Sequence, residues 1–346
     1  MKEVSFYLVC DLHINESTAN LVKNSIFDIF DDMLREEVKT IILAGDVFDF
    51  RKSQTLITLN CFDDILQKAE ELGITVIAIP GNHDKMSYTS EDSYLKPFRY
   101  FPSLRLFNTT TTIEVKGLNV SLIPFFRESD TFLTYFNLLE EVKENTVLVT
   151  HIAVDGVRNN DGSEVTSTLK LDLFKDFVNV FIGHYHDRQF IGENIIYAGS
   201  IMQRNFGETP NKGYTKVFTD GSYEFVDKEY QVFETIKLNY SESLSDDLEK
   251  LSEVKTSDVL KVRVILNGTK EELDSLKNLE VIKKLDSNGV VLKNNYESIE
   301  EVKLEQAEEF VPFTIQSVLK EWDEFAEENS YDKKVGSIIL NKYLNV

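Results

Sequence analysis

The sequence predicts an α/β protein: a four-layer αββα sandwich of two mixed sheets, then a small α+β unit, then helices at the C-terminal end. Three observations predict this. Strand-like and helix-like runs alternate through the first part of the chain, which implies parallel strands joined by helical crossovers, with functional loops at the carboxyl ends of the strands. Short strands then crowd residues 104–226, and two stacked sheets with helices outside absorb that number. Near Phe233 the character shifts to a compact set of strands and acidic helices.

The elements follow in order. Val4 to Cys10 reads as a buried strand, and Ser17 to Arg35 has helical spacing through Leu21, Ile26, Phe27, Phe30 and Leu34. Thr40 to Ala44 is strand, Gln54 to Leu72 helix, and Ile74 to Ile79 strand. The TTTT run at Thr109 to Thr112 reads as hairpin material. VLVTH (Val147 to His151), VFIGH (Val180 to His184), Ile195 to Tyr197, Tyr214 to Phe218 and Tyr223 to Val226 are strand-like. Beyond them, strands are expected at Phe233 to Leu238, Leu260 to Leu266, Val281 to Leu285 and Val290 to Leu292, with helices at Ser243 to Leu251 and Lys270 to Leu276. An acidic stretch, Ser298 to Glu309, leads to two amphipathic helices, Thr314 to Glu328 and Asp332 to Leu344, the first carrying the only tryptophan, Trp322. The chain therefore divides at 1–232, 233–297 and 298–346.

At 346 residues, 42% of them hydrophobic, the chain buries a substantial core without staples. Its two cysteines, Cys10 and Cys61, support neither a disulfide framework nor a thiolate zinc site, and they fit a reducing cytoplasm. The N-terminal apolar run ends at Asp11, too short for a membrane span and without a signal-peptide cleavage region, so no membrane association is expected. The balance of 59 acidic against 37 basic residues gives a net charge of -22, which argues against a nucleic-acid binder acting unaided. No G-x-x-x-x-G-K-[ST] stretch occurs, so any ATP dependence belongs to another subunit.

Each predicted strand of the first region ends in metal-ligand residue types. The clusters are Asp11-Leu12-His13, Gly45-Asp46-Val47-Phe48-Asp49, Gly81-Asn82-His83-Asp84, Thr150-His151 and Gly183-His184-Tyr185-His186. All five histidines of the chain fall in these turns. One histidine alone is usually an ordinary polar residue; five confined to strand-end turns beside aspartate and asparagine point to a metal centre. Carboxylate, amide and imidazole donors suit manganese, iron, zinc or magnesium. Two ions about 3.5–4 Å apart need a shared ligand, which an aspartate with two oxygens provides. Strand alternation would aim Asp11 and His13 the same way, and glycines beside Asp46, Asn82 and His184 let the backbone turn tightly.

With D-x-H, GD-xx-D, GNHD, H and GHxH in that order over residues 11–186, the sequence resembles the calcineurin-like metallophosphoesterase superfamily. The resemblance implies that Asp11, His13 and His186 hold a first ion, Asp46 bridges, and Asn82, His151 and His184 hold a second. It also implies two divalent cations, manganese foremost, with His83 as proton donor or transition-state stabiliser and Asp49 in support. Within the superfamily, GDVFDFRK (Gly45 to Lys52), IPGNHD (Ile79 to Asp84), YAGSIMQRNFGE (Tyr197 to Glu208) and KGY (Lys212 to Tyr214) resemble the SbcD-type DNA exonuclease subunit, with bacteriophage recombination nucleases the nearest-looking branch. That likeness implies a DNA exonuclease and endonuclease of recombination and repair, with a capping domain over residues 233–297. It further implies homodimerisation and an SMC-like ATPase partner of the SbcC type, bound through the C-terminal helices. Arg51, Lys52, Lys85, Arg127, Arg188 and Arg204, from the same loops, are candidate contacts to the DNA backbone.

Two other readings compete. A phosphatase or phosphodiesterase acting on a small phosphoester would use the same centre, although Phe50 after Asp49 and Asp84 after His83 disfavour the protein phosphatases. A non-catalytic scaffold would have lost ligands, and every expected ligand is present. The aromatic run FRYFPSLRLF (Phe98 to Phe107) reads as core packing, and Asn267-Gly268-Thr269 as a hairpin or helix-entry turn.

Overall fold

The computed structural model describes residues 2–127, 130–139, 145–159, 162–241, 243–296 and Trp322. Strands Val4–Val9 (β1), Thr40–Ala44 (β2), Thr75–Ile79 (β3), Leu104–Leu106 (β4), Thr111–Val115 (β5), Leu118–Ile123 (β6), Thr146–His151 (β7), Val180–Gly183 (β8), Gln189–Ile191 (β9), Ile195–Tyr197 (β10), Gly213–Phe218 (β11) and Tyr223–Asp227 (β12) form two six-stranded mixed sheets. Their orders are β12-β11-β1-β2-β3-β4 and β5-β6-β7-β8-β10-β9. The TTTT run opens the expected hairpin, β5 pairing antiparallel with β6 across a turn in which Lys116 and Gly117 both have positive φ.

Alternation along the strands separates the layers. Phe6 and Leu8 of β1 join Ile42, Ile77, Val120, Val149 and Phe181 in the apolar layer between the sheets. Tyr7 and Val9 face the other way, onto Ala19–Arg35 (α1) and Leu56–Leu72 (α2), where Phe30, Met33, Phe62 and Leu66 are fully buried. Each such side chain contributes about 1.5–3 kcal/mol by leaving water. The outer face of the second sheet is covered by Asp130–Phe136 (α3) and the turn around Phe174. The sandwich is thus the four-layer arrangement expected. Phe98, Phe101 and Leu104 pack into the α1 and α2 side of the core, so that aromatic run serves packing.

After β12, Val232–Asn239 (β13), Leu260–Gly268 (β14) and Val291–Tyr296 (β15) form a separate three-stranded sheet with its own apolar cluster. All its pairings are parallel, with Leu244–Leu251 (α4), Lys270–Leu276 (α5) and Glu280–Ser287 (α6) in the crossovers. The unit is therefore α/β in connectivity rather than α+β. Val281 to Leu285, expected as a strand, lies in α6, because Val281 and Leu285 recur four residues apart and bury one helical face. Asn267-Gly268-Thr269 is a helix entry: Thr269 caps α5 reciprocally with Glu272. Residues 1–297 form one compact unit, and 298–346 fall in a second. The two helices expected at 314–328 and 332–344 lie outside the described residues, Trp322 excepted. Among the described residues no helix is long and apolar enough to cross a membrane.

Candidate metal centre

The carboxyl ends of β1, β2 and β3 in one sheet and of β7 and β8 in the other deliver their loops to one place. There the backbone turns abruptly: Asp11, His13, Asp46 and His184 all have left-handed φ, at 55°, 47°, 51° and 98°. Strand alternation is therefore not what aims Asp11 and His13. The Asp11–Ile14 and Gly45–Phe48 loops run side by side instead, with His13 N donating to Asp46 O at 2.9 Å and Ile14 N to Val47 O at 2.8 Å. A left-handed conformation costs a non-glycine residue about 1–2 kcal/mol, and strain of this kind concentrates at functional sites. The neighbouring glycines answer different needs. Gly45 is itself left-handed, whereas a Cβ on Gly81 would lie 2.2 Å from Asp46 Oδ1 and one on Gly183 2.4 Å from the Ala44 carbonyl, so close approach is what requires glycine at 81 and 183.

The ligand atoms converge. Three overlapping groups, Asp11 with His13 and His186, His13 with Asp46 and His83, and Asp46 with His151 and His184, each bring their nitrogen and oxygen donors within 4.8 Å of one another. Asp46 Oδ2 lies 3.6 Å from His13 Nε2 and 3.3 Å from His151 Nε2, facing both outer groups. Its Oδ1 is occupied by the His83 amide at 2.8 Å. One oxygen, rather than one on each side, is thus placed to be shared. The Asn82 amide lies 3.0 Å from His151 Nε2 and 2.8 Å from His184 Nδ1, in the second outer group.

Protein partners fix how the rings present themselves. His151 Nδ1 donates to Ala44 O at 2.9 Å, His186 Nδ1 to Glu208 Oε1 at 2.9 Å, and His83 Nδ1 to Asp49 O. His13 Nδ1 sits 3.2 Å from Asp49 Oδ1. Nε2 is therefore the nitrogen left for another partner on each of these rings; on His13, His151 and His186 it is the one that could ligate a metal, the other nitrogen being held by or set against an acceptor. Asp49 lies in none of the three converging groups; it holds His13 and His83 in place and is itself held by Asn15 and Arg204. Asp84 is fully buried and accepts from the amides of Val47, Phe48 and Gly81, tying the second and third loops together.

In the sequence Glu208 and Lys212 stand out only as members of the FGE and KGY stretches, and the fold brings both beside His186. Glu208, buried, accepts from His186, Asn205 and the Arg204 amide and pairs with Lys212 Nζ at 3.1 Å. Burial raises its pKa, but the His186 hydrogen bond and the Lys212 charge outweigh that and hold it at about 2. The FGE-to-KGY spacing was the available signal.

The donor set fits divalent cations. His13 Nε2 and His186 Nε2 lie 3.0 Å apart, and with Asp11 these two residues bring their donor atoms within 4.8 Å of one another. Burial pushes His184 down to about 3, helped by the nearby His151. Burial also lowers His151, yet the Asp46 carboxylate reverses this and raises it to about 9. Asp46 stays well below the usual carboxylate range, because its histidine neighbours overcome the burial that would raise it. A buried anion that draws positive charge to itself, ringed by imidazoles, is what a pair of cations requires.

The basic residues separate into two sets. Arg51, Lys52 and Arg127 are exposed. Lys85 is a correction: it is fully buried, donates to Phe125 O at 2.6 Å and Ser90 O at 3.0 Å, and lies over the Phe126 ring, so it braces the third loop and is closed to DNA. Arg188 is committed to Asp227 at 2.9 Å and to the Phe225 face. Arg204 points inward, to Asp49 Oδ1 at 2.9 Å and His13 O at 3.0 Å, and so borders the centre.

Residues 5–188, just over half of the chain, match the family described as calcineurin-like phosphoesterase. The chain is 28% identical over 178 residues to Exonuclease subunit 1 of Enterobacteria phage T4, covering 49% of this chain and 50% of that protein, so it spans about half the length of that curated relative. Among solved structures it is similar to a dimetal phosphatase from Danio rerio, at 12% identity and TM-score 0.38, with 62% of this chain and 91% of that one covered. It is also similar to the Pseudomonas putida nuclease MPE, at 14% identity and TM-score 0.30, covering 62% and 85%. By the extent of the family match and the ligand set that accompanies it, the chain belongs to the calcineurin-like phosphoesterase family.

Proposed function

We propose that the chain is a two-metal DNA nuclease, hydrolysing phosphodiester bonds as the nuclease subunit of an SbcC/SbcD-like complex in recombination and repair. The observation that carries this reading is the position of Asp46 Oδ2, 3.6 Å from His13 Nε2 and 3.3 Å from His151 Nε2, between two groups of ligand-type side chains. The likeness to a phage exonuclease subunit supports DNA as the substrate. Asp11, His13 and His186 would hold one cation, Asn82, His151 and His184 the other, and Asp46 both. When bound, the pair supplies Lewis acidity toward the phosphoryl oxygens and lowers the pKa of a water to make the nucleophile. Manganese is the metal we expect.

The protein's own groups position and move protons. His83 is anchored through Nδ1 on the Asp49 carbonyl and packs edge-on to His13 at 4.8 Å, so its Nε2 is free to deliver a proton to the departing oxygen. Arg204, held by Asp49, adds positive charge at the rim, and Arg51, Lys52 and Arg127 remain to contact phosphates along the strand. The net charge of -22 makes unaided grip on DNA weak, which favours an SMC-like ATPase as a partner, bound through the region 298–346. Residues 233–297 are read as the capping domain, residues 1–232 as the nuclease domain, and the working form as a homodimer.

The test is cleavage of linear duplex DNA and of a chromogenic phosphodiester with manganese, comparing wild type with His83→Ala and Asp46→Ala. His83→Ala should keep metal binding and lose about 10²–10⁴-fold in rate, while Asp46→Ala should lose both. Hydrolysis of the small ester with DNA left intact, even with the ATPase present, would replace this reading with a small-substrate phosphodiesterase.

A further inference from the structure

Beside the metal centre a cleft of about 640 Å³ is lined by Asn15, Ser17, Phe50, Arg51, Lys52 and Thr55 among others. One of its lining residues is an exposed aromatic ring. Phe48 is fully buried in the core, but Phe50, two residues on, is 54% exposed at the cleft. The loop that carries it is fastened on both sides: Gln54 Nε2 donates to the Phe50 carbonyl and Tyr94 Oη to the Arg51 carbonyl at 2.8 Å. The ring is therefore presented to solvent by a fixed backbone.

Its neighbour Asp49 contacts the rings of His13 and His83, and Arg51, on its other side, lies over the Tyr88 ring at 5.1 Å. Consecutive Cα atoms are about 3.8 Å apart, so Phe50 stands one residue's length from the group that touches the centre. Cations flank it in Arg51 and Lys52 and an amide in Asn15, which is held by Asp49 Oδ2 at 3.0 Å, and Glu16 adds one carboxylate to the lining against these two cations. A planar apolar face between cations, at the edge of a phosphoester-cleaving centre, matches a nucleobase joined to its phosphates. Bases inside a duplex have both faces covered by their neighbours, so only an unpaired or terminal base can use the ring.

We propose that Phe50 is the stacking platform for an unpaired nucleobase next to the scissile phosphate, with Arg51 and Lys52 on the flanking phosphates. This deepens the nuclease reading and rests on it. Leu56 and Ile57, exposed at the start of α2, extend the apolar surface but do not line the cleft, and a second copy of this chain is the competing occupant for that stretch. The cations within the cleft and its contact with Asp49 favour the nucleotide.

The experiment uses the full chain with manganese and end-labelled single-stranded oligonucleotides, either intact or with one abasic nucleotide walked along the strand. Wild type, Phe50→Ala, Phe50→Leu and Phe50→Trp are compared by kcat/KM, with sedimentation on each. Stacking on one aromatic ring corresponds to about 5- to 150-fold, the loss expected for Phe50→Ala on the intact strand. The wild type should lose a similar factor when the abasic nucleotide reaches the critical position, and Phe50→Ala should lose nothing further there. Phe50→Trp should restore cleavage, and Phe50→Leu should not. Leucine working as well as phenylalanine would overturn the proposal, as would an abasic penalty undiminished in Phe50→Ala. Activity lost in step with dissociation of a dimer would assign the residue to contact between copies instead. If one variant fails to fold, the remaining two still separate aromatic from merely apolar character. A wild type that hydrolyses bis(p-nitrophenyl) phosphate but no oligonucleotide is a different failure, of the nuclease reading itself, and the platform falls with it.

Discussion

Replacing Glu208 with glutamine keeps the side chain's shape and removes its charge, and the surroundings determine the cost. Glu208 Oε1 receives His186 Nδ1 and Asn205 Nδ2, each at 2.9 Å, while Oε2 receives the Arg204 amide and Lys212 Nζ, each at 3.1 Å. All four are donors, so a glutamine amide group must face two of them. If it faces Arg204 and Lys212, two buried donors lose their acceptor, at about 1–3 kcal/mol each, softened because Lys212 keeps Asp187 at 2.9 Å. If it faces His186, the ring is driven to carry its proton on Nε2, the nitrogen offered to the cation. Loss of such a supporting partner typically costs about 10- to 100-fold in metal affinity, equivalent to about 1.4–2.7 kcal/mol. The assay is a manganese titration by calorimetry with free-ion detection by electron paramagnetic resonance, beside urea unfolding in chelator. One of two sites should weaken by that factor while the other holds, and the metal-free protein should lose about 1–3 kcal/mol. Affinity within twofold of wild type at both sites would refute the reasoning, as would equal weakening of the two.

Four further outcomes are expected. Lys85→Met should leave the salt dependence of DNA binding unchanged, because the ammonium is buried against Ser90 O and Phe125 O, and should cost about 1–3 kcal/mol of stability by stranding those carbonyls. Burial lowers the Lys85 pKa to about 8, so the folded protein releases a proton that the unfolded chain keeps; wild-type stability should rise with pH from about 8 to the unfolded value near 10.5, a slope that urea titrations of Lys85→Met should lack. Gly81→Ala places a Cβ 2.2 Å from Asp46 Oδ1, and because Asp46 faces both outer groups, manganese stoichiometry by equilibrium dialysis should fall at both sites together. Manganese at a hundredfold excess over its dissociation constant should stabilise the wild type by about 2.7 kcal/mol per site, measured as a melting shift, and Asp46→Ala should forfeit most of it.

The convergence of the ligand-type side chains was legible in the sequence because the chain spends all five histidines in strand-end turns, where an ordinary surface histidine has no reason to gather. Glu208 was not legible. It is one of 59 acidic residues and stands 22 positions from the ring it supports, and only folding buries it against His186 and Lys212. Lys85 misled in the opposite direction: adjacent to GNHD it reads as a phosphate contact, yet its stem and charge are enclosed. In α6, Val281 to Leu285 is too short for periodicity to separate strand from helix, and packing of both apolar ends on one side decided it.

Residue type and order alone announced the layered α/β architecture and the set of carboxylate, amide and imidazole side chains that the fold brings together. Those properties depend on local periodicity and on functional groups that are scarce in the chain. Three-dimensional packing decided which oxygen of Asp46 faces both outer groups, which nitrogen each imidazole leaves for another partner, and which basic side chains remain open to a substrate. These are matters of direction and enclosure, set by left-handed turns and by contacts between residues far apart in the chain, and a linear pattern of residue types carries neither.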